Sequence, residues 1–152
     1  MADLFSKIFV ARWTDMDFNA HMRNTAYLDL AGDLRMMFFQ ENGFPPQEFV
    51  RRRVGPVVQR DELEYFQEVH LLEEVVVTLA LVGLSRDASR FRIRNEFLNP
   101  NGTRVARVNS LGGWMDLDSR KLVTPPAALA AALDRLSHTD DFAEIEREPK
   151  GR

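Results

Sequence analysis

The stretch "NTAYLDLAGDLRMMFFQEN", residues 24–42, decides the fold. Tyr27, Leu30, Ala31, Leu34, Met37 and Phe38 recur at α-helical spacing. Gly43 comes next as a stop, with Pro45 and Pro46 just beyond. Apolar residues spread over well more than half of the circumference. Such a helix is expected to be largely enclosed rather than laid on a surface.

Beyond the helix the pattern changes to strands. "VGPVVQRDELEYF" (54–66) is a broken strand or pair, and "EEVVVTLALVGL" (73–84) is a near-continuous β-branched run with both faces covered. "SRFRIRNEFLN" (89–99) alternates, with Phe91, Ile93 and Phe97 on one face and Arg92, Arg94 and Glu96 on the other. "NPNG" (99–102) is a hairpin turn in which Gly102 is free to take positive φ. "TRVARVNSLGGWMDLD" (103–118) returns, and Gly112 and Gly113 mark a bulge or a close backbone approach. Ahead of the helix, "FSKIFVARW" (5–13) is a first strand. Near the end, "PPAALAAALDRL" (125–136) is a short helix with Pro126 near its first position. The tail from His138 is charged and expected to fray. This order predicts an α+β fold: one domain over residues 1–152, with a curved antiparallel sheet wrapped around one long helix.

Composition narrows the function. The net charge is −3, so no basic footprint for nucleic acid is present; the run Arg51–Arg53 reads as a solvated turn. The chain has no cysteine, which excludes disulfides, thiolate metal sites and a cysteine nucleophile together. His70 and His138 lack neighbours at metal-ligand spacing, so no metal is expected. No apolar run is long enough to span a bilayer, and the first residues do not read as a signal peptide. A soluble cytoplasmic protein is the expectation.

The helix is preceded by "TDMDFNAHMRNTAY" (14–27), with two aspartates, two asparagines and a histidine. This is either an elaborate helix cap or a reaction centre built on one. The first N–H groups of a helix lack intrahelical partners and carry partial positive charge, so they bind an oxygen that is becoming an anion. Asn24 and Thr25 are the cap positions, and Asp17 approaches the same spot from the other side. Acyl transfer needs these two parts: a nucleophile or base, and donors for the tetrahedral oxyanion. A thiol leaving group, with a pKa of about 8.5 for cysteine, departs with little help from an acid. Such a site suits thioesters and suits amides poorly.

At these residues the chain resembles the hot-dog-fold thioesterases of the 4-hydroxybenzoyl-CoA thioesterase type. The matching positions are Asp17, His21, Asn24, Tyr27, Asp33 and Arg35. "EYFQEVHLLEEVVV" (64–77) and "WMDLDSRKLVTPP" (114–126) resemble later parts of the same pattern, so the likeness spans roughly residues 5–130. It implies that Asp17 acts as nucleophile or general base, and that the Asn24 backbone N–H polarises the thioester carbonyl. It also implies a homodimer or homotetramer with a site shared between subunits, acting on acyl-CoA with no cofactor of its own. The stretch is similar as well to plant acyl-ACP thioesterases, which implies a centre of Asp17, Asn19 and His21 joined by Glu68 from a following strand. Two positions depart. Ala20 stands where many members have glycine, and Val69 where the plant enzymes have a cysteine.

Each residue also has a plain structural reading. Asp15 braces the loop, His21 pins it, and Asn19 is a turn residue. The Asn24 side chain is a cap, and Tyr27 is core or the wall of an acyl pocket. Asp33 and Arg35 are structural, pairing with strands or across a dimer, and Glu68 is a solvated strand residue. Three functions remain open: an acyl-CoA thioesterase, an acyl-ACP thioesterase, or a non-catalytic acyl-thioester-binding protein. A G-x-S-x-G elbow does not occur, which disfavours serine hydrolysis.

Overall fold

The structure, a computed structural model, describes residues 4–146. The chain order is β1 (Phe5–Val10), a 3₁₀ turn (Trp13–Asp15), α1 (Ala26–Glu41), α2 (Pro46–Arg52), β2 (Val54–Tyr65), β3 (Glu74–Ser85), β4 (Arg90–Leu98), β5 (Arg104–Asp116), α3 (Ala127–Asp134) and β6 (His138–Ile145). The strands form one curved, unclosed sheet in the order β1-β3-β4-β5-β2. The expected α+β fold, an antiparallel sheet around one long helix, is what forms.

The core lies between α1 and the inner face of the sheet. Ala26, Tyr27, Leu30, Ala31, Leu34, Phe38 and Phe39 of α1 are buried. They meet Val77 and Leu79 of β3, Phe91 and Phe97 of β4, and Val108 and Trp114 of β5, all buried. The helix is less enclosed than its composition suggested. Asp29, Asp33, Met37 and Glu41, spaced by four, form an exposed stripe. Met37 therefore faces outward, because its position on the helix is set by the acidic residues above and below it.

The sequence reading is sharpened in one place and corrected in two. Of the broken strand or pair expected over residues 54–66, the broken strand forms: Val54–Tyr65 is one strand with a register shift against β5 between Val58 and Arg60. Opposite that irregularity a Cβ on Gly112 would sit 2.3 Å from the Val57 carbonyl oxygen, so the close approach expected at this glycine is real. The segment 46–52 is a short helix opened by Pro46, and Arg51 pairs with Glu48 at 2.6 Å within it.

The second correction is the tail. Residues 138–145 do not fray; they form β6, parallel to β3. β1 pairs with residues 74–79 of β3, and β6 takes the same edge over residues 81–85. An uncovered edge presents unpaired N–H and C=O groups, and β6 supplies partners where β1 ends. Arg94 of β4 also reaches Asp141 of β6 at 3.1 Å, so the charge of the tail anchors it. The last residues of the predicted tail, 147–152, lie outside the described residues.

Candidate active site

The polar stretch folds back on itself. The Asp17 N–H donates to the His21 carbonyl (3.1 Å), the Ala20 N–H to the Asp17 carbonyl (3.2 Å), and Met16 and Met22 form a β-bridge. Asn19 closes the turn from inside: its N–H donates to Asp17 Oδ1 at 2.8 Å. This tight loop forces Ala20 into the left-handed region, φ 63°. Glycine adopts that conformation freely and alanine does not, which explains why glycine suits this position in the family the sequence resembles.

Asp15 holds the loop from beneath. It is 1% exposed, and its carboxylate accepts from the Arg12 backbone N–H (2.9 Å), Nε (3.2 Å) and Nη2 (3.2 Å). Burial raises its pKa, but the Arg12 hydrogen bonds and charge outweigh this and hold it below the usual carboxylate value. The bracing role expected of Asp15 is therefore met. Arg23 links the loop to the helix, donating to the Thr14 carbonyl and to Thr25 Oγ1.

At the start of α1 the cap is made differently from the expectation. Thr25 is the cap residue and has no capping side-chain bond. Among the described residues the Asn24 side chain makes no hydrogen bond either. The backbone N–H groups of Asn24 and Thr25 likewise meet no acceptor among the described residues. Donors of this kind at a helix N-terminus are available to a ligand.

One surface pocket of about 530 Å³ is lined by Asp17, Asn19, His21, Asn24, Tyr27 and Glu68, so every residue singled out for the site faces it. Their roles in its geometry differ. His21 Nδ1 lies 3.8 Å from Asp17 Oδ2 and 3.2 Å from the Met22 carbonyl. A carbonyl only accepts, so the second contact is a hydrogen bond when the proton is on Nδ1, which leaves Nε2 as an acceptor. Tyr27 is buried and forms the wall, edge-on to Tyr65 (5.4 Å) and Phe97 (5.2 Å). Burial first, then Tyr65 and Asp17, push its phenol up to about 12, so it stays protonated. Glu68 is not on a strand. It lies in the connection after β2 and is exposed, 3.4 Å from His70 Nε2. That connection is held against the loop by the Met22 N–H, which donates to the Val69 carbonyl at 2.7 Å.

Tyr65, Phe66, Gln67 and Met22 complete the lining. They were not foreseen in the sequence. Tyr65 at least carries a signal, standing at the end of a strand that runs into "FQEV". Its O–H donates to the Asn24 carbonyl at 3.1 Å. Arg35, by contrast, lies away from this pocket and bonds Asn95 Oδ1 (2.9 Å) and Ser110 Oγ (2.8 Å), as a structural partner of the strands would. Asp33 is exposed on the outer stripe of α1.

Among the described residues no cluster of three or more His, Asp or Glu side chains is arranged to hold a metal ion, and no helix is long and apolar enough to cross a membrane.

Comparisons with known proteins give the same picture of the fold. A protein from Staphylococcus aureus solved in complex with CoA superposes with a TM-score of 0.78 at 16% identity, covering 98% of each chain. A 1,4-dihydroxy-2-naphthoyl-CoA thioesterase from Synechocystis superposes with a TM-score of 0.78 at 16% identity, covering 90% of this chain and 100% of the other. A gentisyl-coenzyme A thioesterase superposes with a TM-score of 0.75 at 16% identity, covering 85% and 99%. No curated protein sequence matches. The family model for the thioesterase-like superfamily matches residues 11–133, most of the chain. The chain belongs to the thioesterase-like superfamily.

Proposed function

We propose that the protein hydrolyses acyl-CoA thioesters to a carboxylic acid and free CoA. One observation carries this reading: Asp17 and Asn24 line the same pocket just ahead of α1, and the Asn24 N–H has no acceptor among the described residues. In this scheme Asp17 takes a proton from water and the hydroxide adds to the thioester carbonyl carbon. The resulting oxyanion is held by the Asn24 N–H, reinforced by the helix dipole. The C–S bond then breaks, and the thiolate leaves and takes up the proton from Asp17. Water and thioester are consumed; acid and thiol are formed. Direct attack by Asp17 would instead form an anhydride, and oxygen-18 from water in the Asp17 carboxylate after one turnover separates the two routes.

His21 orients Asp17 and the water, and Asn19 holds Oδ1 of Asp17 in place. Tyr27 forms the acyl-side wall, with Glu68 at the rim. The CoA-bound Staphylococcus aureus neighbour supports CoA as the carrier. The Synechocystis and gentisyl-coenzyme A thioesterases support thioester hydrolysis in this fold.

A second copy of the chain is part of the proposal. Trp13, Phe18 and Leu71, which share one surface hollow with Asp17, are 79%, 110% and 41% exposed. A lone chain rarely leaves such side chains together in water. Sedimentation of the protein as a dimer or larger assembly is the expected result.

The function is tested by thiol release across acyl-CoA and acyl-ACP panels. Hydrolysis of acyl-CoA by the wild type is expected, with Asp17→Asn reduced by roughly 10²–10⁴-fold while its circular dichroism is unchanged. Tight binding of acyl-CoA with no thiol release would show a non-catalytic binding protein instead.

A further inference from the structure

A second cavity, of about 190 Å³, lies between α1 and the sheet and shares no residue with the Asp17 pocket. Gly32, Arg35, Met36 and Phe39 face it from α1, a single helix face at spacings of three and four. Across from them stand the inner-face side chains of the sheet, including Phe91, Ile93 and Trp114.

This lining is apolar with one exception, and that exception is a cation. Arg35 donates through Nη2 to the neutral acceptors Asn95 and Ser110, while its buried Nε has no partner. Trp114 in the same wall is 1% exposed, and its Nε1–H is also buried without a partner. Ser110 passes its own hydrogen bond to Asp61, so the carboxylate whose charge acts on Arg35 is linked to the guanidinium through a hydroxyl. Burial lowers the Arg35 pKa against the pull of Asp61, which marks a charge short of compensation. Unpaired buried donors call for an acceptor, and a half-buried cation short of countercharge favours an anion.

Gly32 adds an independent sign. It is in mid-helix, where glycine is markedly less favourable than alanine. A Cβ there would touch nothing within 4 Å. The helix thus leaves open space on its cavity face where a larger residue would be more stable.

The cavity lies within reach of the reaction centre. Tyr27 of the site packs on Phe97, and Arg35 bonds Asn95, two residues earlier on the same face of β4. Two strand residues span about 7 Å. Along α1, Arg35 is ten residues from Thr25, about 15 Å, a distance shortened because helical side chains lean toward the N-terminus. A volume of about 150 Å³ holds benzene, so 190 Å³ holds a short chain and not a long one.

We infer that this cavity takes the distal end of the acyl group, and that the preferred acyl group is a chain of about six to eight carbons ending in a carboxylate. The thioester carbonyl sits at the N-terminus of α1, the methylenes cross the apolar wall, and the carboxylate accepts the Arg35 Nε–H and supplies its missing countercharge. This assignment rests on the thioesterase reading of the first pocket.

Thiol release is measured with adipoyl-CoA against hexanoyl-CoA, and with suberoyl-CoA against octanoyl-CoA. The carboxylated member of a pair is expected to have the higher kcat/KM by tenfold or more. Arg35→Met reverses that preference, and Gly32→Leu lowers kcat/KM for both members by filling the cavity. Equal or better use of the neutral chains by the wild type overturns the inference while leaving the thioesterase reading in place. Should no thioester be hydrolysed, the thioesterase reading fails and binding decides the cavity separately. Trp13→Phe leaves Trp114 as the one indole, and its emission is titrated with suberate and with octanoate. Tighter binding of suberate, lost in Arg35→Met, supports the anion-accepting cavity; equal or tighter binding of octanoate overturns it.

Discussion

Tyr65, the last residue of β2, donates its O–H to the backbone carbonyl of Asn24 at 3.1 Å. One hydrogen bond thus fixes the end of a strand to the start of the central helix, across 41 residues of sequence. The carbonyl it holds is that of Asn24, the residue whose N–H is the donor of the proposed oxyanion site. Tyr65→Phe keeps the ring contact with Tyr27 and removes only this bond. We expect a stability loss of about 1 kcal/mol and a severalfold lower kcat with KM little changed. Denaturant unfolding and steady-state thiol release check the two parts, and an unaltered kcat removes the positioning role.

Ala20 is held at φ 63° in the tight turn that carries Asp17. Left-handed backbone is unfavourable for a residue with a Cβ by roughly 1–2 kcal/mol, partly offset by the extra freedom glycine has when unfolded. Ala20→Gly is therefore expected to stabilise by up to ~1 kcal/mol, about 2–4 °C in Tm for a chain of this size. Ala20→Val should do the opposite. A Gly variant that melts lower than the wild type would contradict the strain argument.

Asp15 is buried and takes three hydrogen bonds from Arg12. Asp15→Asn preserves the shape and removes the charge. A loss of roughly 1–3 kcal/mol is expected, with a drop in kcat because the turn holding Asp17 rests on this bond set. Because the folded pKa of Asp15 is held below its ordinary value, the wild type gains from this group above the unfolded pKa and loses the gain as pH falls through the folded one. The Asn variant should show a shallower acid limb in an unfolding titration.

Asp141 gives the same sign at a different place. Hydrogen bonds from Arg94, with its charge, lower the Asp141 pKa from 3.8 to about 2. Its contribution is thus complete above an unfolded value of about 4 and is lost between that and about pH 2. Since Asp141 joins β6 to Arg94 of β4, amide exchange in β6 should accelerate over that window before the rest of the sheet opens. In Asp141→Asn that acid-dependent step should vanish, and its persistence would assign the anchoring to other groups.

Local pattern determined most of the architecture. The helical spacing of residues 27–38, the alternation of 91–97 and the turn at Gly102 each act over a few residues, so they were legible without the fold. The same holds for Asp17, Asn19, His21 and Asn24, which lie within one short loop and the helix it leads into. Long-range packing decided what remained. Nothing in "HTDDFAEI" says that it pairs in parallel with β3, because its partner is an edge left uncovered by the shortness of β1. No spacing links Tyr65 to Asn24. Nor does any spacing show that Arg35, foreseen only as a structural residue, keeps an unpaired Nε beside an apolar cavity. Those relations depend on which strands the sheet brings over the helix, and hydrogen bonds and burial across that distance form only once the chain has closed.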